Sequence, residues 1–187
     1  MIEKSKIKEI NRLLKSKGIL FDKGLSDLEI INIQKKNGFT FPPDLKLMLQ
    51  TEMPISDPFV NWRSISENDL AKKLSWPYEG MCFDIEHNNF WMDEFGHKPD
   101  NLDEAFVIVK NYLESVPKLI PVYAHRYLPD FPNEDGNPIL SVYQTDIIHY
   151  GRNLLDYFQN EFGVKERELF KYSEVKSIPF WSKIIEM

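Results

Sequence analysis

Ile120-Pro121-Val122-Tyr123-Ala124-His125-Arg126-Tyr127, Ile139-Leu140-Ser141-Val142-Tyr143 and Ile147-Ile148-His149-Tyr150 read as three strands of a β-meander. β-Branched and aromatic residues dominate each run, and such side chains suit a pleated, half-buried surface. Leu128–Pro138 carries Pro129, Pro132, Asn133, Asp135, Gly136 and Pro138, which is loop chemistry. Gln144-Thr145-Asp146 makes a tighter turn between the second and third strands.

Helices flank this meander. Ile7, Ile10, Leu13 and Leu14 recur at helical spacing, and Gly18 ends that run. Ser26 and Glu29 form a capping box, with Leu25 and Ile30 in the positions of a hydrophobic staple. Gly38 can take the left-handed conformation that stops this helix. Phe39 and Phe41 then form an apolar corner before Pro43-Asp44, a pair suited to the first turn of a short helix through Leu45, Met48 and Leu49. Ser66 and Asp69 open another short helix through Leu74, with Ile65 and Leu70 as its staple. Across Gly80–Trp91 the period changes. Met81, Phe83 and Ile85 alternate with Cys82, Asp84 and Glu86, the signature of a half-buried strand. Asn101 caps a helix bearing Leu102, Ala105, Phe106, Val109, Leu113 and Val116, although Val107-Ile108-Val109 also permits a strand. After the meander, Asn153 caps a helix with Leu154, Leu155, Phe158 and Phe162 on one face and Gly163 as its stop. Val175, Ile178, Trp181 and Ile184 suggest a last one. The expected fold is α+β: one domain over residues 1–187, with a central, mostly antiparallel sheet, helices packed around it, and an N-terminal helix (residues 1–24) appended.

The net charge of −6 argues against a general nucleic-acid binder. Residues 1–24 carry a local +4 and residues 51–110 a local −7. Such a bias is either a solvated face or a docking surface for a basic partner. No apolar h-region follows the first residues, and no run of apolar residues is long enough to span a membrane. Together with a single cysteine, Cys82, this predicts a cytoplasmic protein without disulfides.

Motifs for chemistry are sparse. A zinc site needs three or four converging ligands. His87 and His97 have no metal-site spacing, whereas His125 and His149 fall on expected strands of one sheet, where hydrogen bonding to neighbours is the simpler role. Asp84, Glu86, Asp93 and Glu94 surround Phe90-Trp91; as an acid/base pair they would need a deep cleft, and otherwise they are polar positions at a strand end. Cys82 has no basic neighbour to lower its pKa. Nucleophile-elbow, P-loop and dinucleotide-binding motifs are absent from the sequence. No cofactor, metal or catalytic residue is expected.

Leu25-Ser26-Asp27-Leu28-Glu29-Ile30 through Gly38-Phe39-Thr40-Phe41-Pro42-Pro43-Asp44-Leu45-Lys46 resembles the opening of the SUKH superfamily, which includes the fungal Smi/Knr cell-wall regulators and bacterial toxin-immunity proteins. Phe59-Val60-Asn61-Trp62-Arg63, Leu119–Tyr127 and Gly136–Ile148 are similar to a bacterial branch of that group. The chain departs from the pattern at Gln50-Thr51-Glu52-Met53-Pro54, where many members carry Asn-Gly. The resemblance implies an α+β fold without catalytic residues. It also implies a protein partner: a toxin domain, often a nuclease and therefore basic, which the chain would bind and neutralise. A regulatory or scaffolding role like that of the fungal relatives is the alternative, and an enzyme acting through His125, His149 or the carboxylates a third. Within the acidic stretch, Asp84, Glu86, Trp91, Asp93 and Glu94 combine charge with an aromatic anchor, the composition of a binding hot spot.

Overall fold

The meander forms a four-stranded antiparallel sheet in the order β3 (Leu119–Tyr123), β4 (Arg126–Pro129), β5 (Ile139–Tyr143), β6 (Asp146–Gly151). These strands belong to a computed structural model that describes residues 2–163 and 174–187. The register pairs Ile120 with Leu128, Tyr127 with Leu140, and Ser141 with Ile148. The stretch from Ile120 to Tyr127 is not one strand. It folds back at Ala124-His125, where Ala124 takes φ 48°, so β3 and β4 make a hairpin. Hairpin turns of two residues need positive φ and are usually signalled by Gly or Asn; neither stands here.

Both faces of the sheet are covered. Ile120, Val122, Leu128 and Ile139 pack with α1 (Lys4–Ser16), α3 (Pro43–Thr51) and α6 (Leu154–Phe162). Leu119, Tyr127, Leu140, Val142 and Ile147 pack with α4 (Glu67–His87), α5 (Leu102–Leu113) and α7 (Trp181–Ile185). The architecture is thus α+β, with one helical layer on each side of an antiparallel sheet. A second, two-stranded sheet joins β1 (Phe21–Lys23) to β2 (Glu52–Pro54).

The local signals at the N-terminal end act as their chemistry dictates. The Ser26 side chain accepts the Glu29 N–H while the Glu29 carboxylate accepts the Ser26 N–H, opening α2 (Asp27–Asn37). Gly38, at φ 66°, closes it. Phe39 and Phe41 turn inward and meet Trp62 edge-on, with centroids 5.1–5.9 Å apart. Arg63 then ties the region together, its guanidinium donating to Glu29, to Asp22 and to the carbonyls of Lys23 and Gly24. The Arg63 cation and the Ser26 donors hold the Glu29 carboxyl down at about 2.

No strand runs over Gly80–Trp91: Gly80–His87 ends a 21-residue helix, α4, and residues 88–91 follow it as irregular chain. Met81 and Ile85 are buried and Phe83 is exposed, which is also a helical pattern: positions four apart share a face. The short helix expected to end at Leu74 continues through Pro77. A proline there removes the N–H that would bond the Lys73 carbonyl. The Tyr127 hydroxyl donates to that carbonyl instead, at 2.8 Å. α5 is a helix, capped by the Asn101 side chain on the Glu104 N–H, with Ala105 and Val109 inward. The last helix is shorter than its apolar spacing suggests, starting only at Trp181 after Pro179. No described helix is long and apolar enough to cross a membrane.

Candidate functional site

The β5–β6 hairpin tip docks on α4, and the joint shapes the outer surface beside it. Trp76, Gly80 and Asp84 lie four residues apart along one stripe of the helix. The Trp76 indole N–H donates to the Val142 carbonyl at 2.9 Å. At Gly80 the backbones meet: a Cβ there would stand 2.6 Å from the Gln144 Cα, so only glycine admits the tip. Asp84 is buried and accepts the Thr145 N–H at 2.8 Å, the Thr145 hydroxyl and the Asn88 amide. Burial alone would raise its pKa, but these donors outweigh it and hold the carboxyl below its ordinary value.

Three large side chains stay exposed around this joint: Trp76 at 40%, Phe83 at 45% and Tyr143 at 57%. The Trp76 and Tyr143 rings approach to 6.4 Å. Phe83 lies two helical turns beyond Trp76, about 10 Å along the axis, and its ring meets that of His87 at a tilt of 53°, centroids 4.4 Å apart. Exposed carboxylates edge the patch. Glu79 and Glu86 share the outer side of α4, and Asp146 sits opposite Tyr143 in the hairpin. Glu86 stands 3.7 Å from His87, and none of the three pairs with a Lys or Arg among the described residues. An aromatic cluster rimmed by negative charge is complementary in composition and sign to a basic protein surface.

The five residues picked out from sequence do not form one surface. Asp84 is interior and spent on the hairpin joint, a correction to its expected exposure that follows from the helix replacing the strand. Glu86 belongs to the patch just described. Trp91, half-buried, donates its indole N–H to the Gly96 carbonyl and packs edge-on to Phe95. Glu94 pairs with Lys183 of α7, while Asp93 is exposed on the 3-10 turn Asp93–Phe95. Trp76, Phe83, Tyr143 and Glu79 were missed. For Trp76 and Phe83 the signal is their seven-residue interval, which a strand over Gly80–Trp91 conceals; Tyr143 comes from another element and has no local signal.

The other candidates for chemistry lie apart from this patch or face inward. Burial pushes the Cys82 thiol up, and Tyr78 beside it rises to about 12, mainly through its own burial. His125 lies in the β3–β4 turn rather than on a strand; burial and the Arg126 cation lower its pKa. His149 is buried on β6, pairing with Leu140, so β5 runs between it and the strand that follows His125. Among the described residues, no three His, Cys, Asp or Glu side chains are grouped so as to hold a metal ion. Comparison with protein-family models, with curated proteins and with solved structures finds no match for this chain.

Proposed function

We propose that this chain is a non-enzymatic binding protein of the SUKH-like immunity type, which captures a basic toxin domain through the outer face of α4 and the β5–β6 tip. One observation carries the reading: Trp76, Phe83 and Tyr143 stand exposed together beside Glu79, Glu86 and Asp146. Aromatic anchors supply apolar area at little conformational cost, and the carboxylate rim speeds encounter with a cationic partner. A nuclease domain is cationic where it holds phosphate, so an acidic face matches it in sign. The resemblance of Leu25–Lys46 to the superfamily opening, and of Phe59–Arg63, Leu119–Tyr127 and Gly136–Ile148 to its bacterial branch, supplies the biological setting.

The test is survival of cells co-expressing the chain with a candidate basic toxin domain. Wild type rescues growth. Phe83→Ala and Tyr143→Ala, both at exposed positions, lose rescue while melting like wild type, and association slows as salt rises. Rescue indifferent to both substitutions, or an association rate indifferent to salt, refutes the assignment to this face.

A further inference from the structure

A cleft of about 280 Å³ opens between α4, α5 and α7, on a flank of α4 distinct from the aromatic patch. Its walls are Phe39, Leu74, Pro77, Leu113 and Trp181. Phe39 and Trp181 belong to the core, so these walls are held in place rather than loosely exposed. The Trp181 indole N–H is already satisfied by the Pro117 carbonyl at 2.7 Å, which leaves an apolar ring edge toward the cleft. Asn37, Ser75 and Tyr78 add polar groups to the lining, and its charged residues are Lys110, Glu114 and Lys118.

The charged lining is net positive in a molecule whose net charge is −6. Neither Lys110 nor Lys118 has a carboxylate within ion-pair distance among the described residues, although the Lys118 cation also acts on the Asp130 carboxyl behind it. Lys118 is held over the end of α2, its Nζ 3.1 Å from where a Cβ on Gly38 would stand. An apolar trough lined by two ammonium groups without an ion-pair partner among the described residues, against the single carboxylate of Glu114, is complementary to an apolar body with one anionic head. Leu74 and Asn37 also border a wider groove between α2 and α4, which gives a longer tail somewhere to continue.

We infer that this cleft is a binding site for a small amphiphile of the medium-chain carboxylate class, its tail along Leu74, Pro77 and Trp181 and its carboxylate between Lys110 and Lys118. The inference is independent of the toxin-binding face. Calorimetric titration of the full chain with sodium hexanoate, sodium octanoate and 1-octanol tests it. Octanoate binds at one site. Each methylene tightens binding about fourfold, as burial of one CH₂ predicts, so hexanoate is about 16-fold weaker. Octanol is at least tenfold weaker than octanoate for wild type, and the double variant Lys110→Met/Lys118→Met binds the two alike. Leu74→Trp, which fills the cleft, abolishes binding, whereas Phe83→Ala leaves it unchanged. The inference fails if octanoate does not saturate, if octanol matches octanoate on wild type, or if a folded Leu74→Trp chain still binds octanoate as wild type does. Should that variant not fold, the charge-removal variant decides alone.

Discussion

Tyr127 carries a hydroxyl into the core for a reason set 50 residues earlier in the chain. Pro77 deprives the Lys73 carbonyl of its helical partner, and the buried phenol supplies the missing donor. Burial pushes the phenol pKa far above its ordinary value, so it remains a protonated donor at neutral pH. A buried carbonyl left without a donor costs about 1–3 kcal/mol. Tyr127→Phe therefore destabilises the fold by about that amount. Restoring a backbone N–H with Pro77→Ala then helps the Tyr127→Phe chain more than it helps wild type, because only there is the carbonyl an orphan. Urea melts of the four chains of this cycle measure the coupling. Additive effects would show that the hydroxyl and the proline are unrelated.

At the scale of elements, the joint between α4 and the β5–β6 tip depends on a charged Asp84. Its carboxyl is held below the ordinary value, so the native state binds that proton less readily than the unfolded chain does. The stabilisation is complete above the unfolded pKa, about 4, and fades as pH falls through the folded one. Glu29, held at about 2 by Arg63, acts in the same direction. Asp84→Asn presents an amide donor to the two Thr145 donors and lowers stability at pH 7 by about 1–3 kcal/mol. Its loss between pH 7 and pH 3 is correspondingly smaller than that of wild type, the remainder coming from the other lowered carboxyls, Glu29, Asp22, Glu52 and Glu67. Urea midpoints at the two pH values that fall in parallel for both chains would remove Asp84 from this role. The same joint explains what the sequence made legible. Ser26, Gly38, Asn101 and Asn153 announce helix ends through local hydrogen bonding, and those ends are where they were expected. α4 was hidden because its continuation past Pro77 relies on a tyrosine from another element. The alternation of Met81, Phe83 and Ile85 also satisfies two periodicities, and only the tertiary partner selects one. The patch of Trp76, Phe83 and Tyr143 joins residues from α4 and a hairpin tip, a proximity no local pattern encodes.

For the molecule as a whole, charge is unevenly distributed. The basic N-terminal segment lies in the helical layer with α3 and α6, whereas the acidic patch belongs to the layer on the other side of the sheet. On the proposed reading, this polarity orients a cationic partner toward α4. The sheet divides the core as well, and α1 is integral to its own half. Ile7, Ile10 and Leu14 of α1 are at most 1% exposed and pack in the same cluster as α3, α6 and the sheet. Burying each contributes about 1.5–3 kcal/mol, or about 5–9 kcal/mol for the three, against a typical domain stability of about 5–15 kcal/mol. The Asn11 amide and Lys15, which both reach the Glu52 carboxylate, fasten the same helix to the start of β2. Deleting residues 2–16 thus removes a quantity comparable to the whole margin of stability, and it uncovers an apolar face of α3 and α6. The shortened chain is expected to lose its cooperative thermal transition and to aggregate, while Ile10→Ala in the full chain lowers stability by about 2–5 kcal/mol. Circular dichroism melts of the two chains separate the possibilities: a shortened chain that still melts cooperatively near the wild-type temperature would mean that the remaining layers form a self-sufficient core without α1.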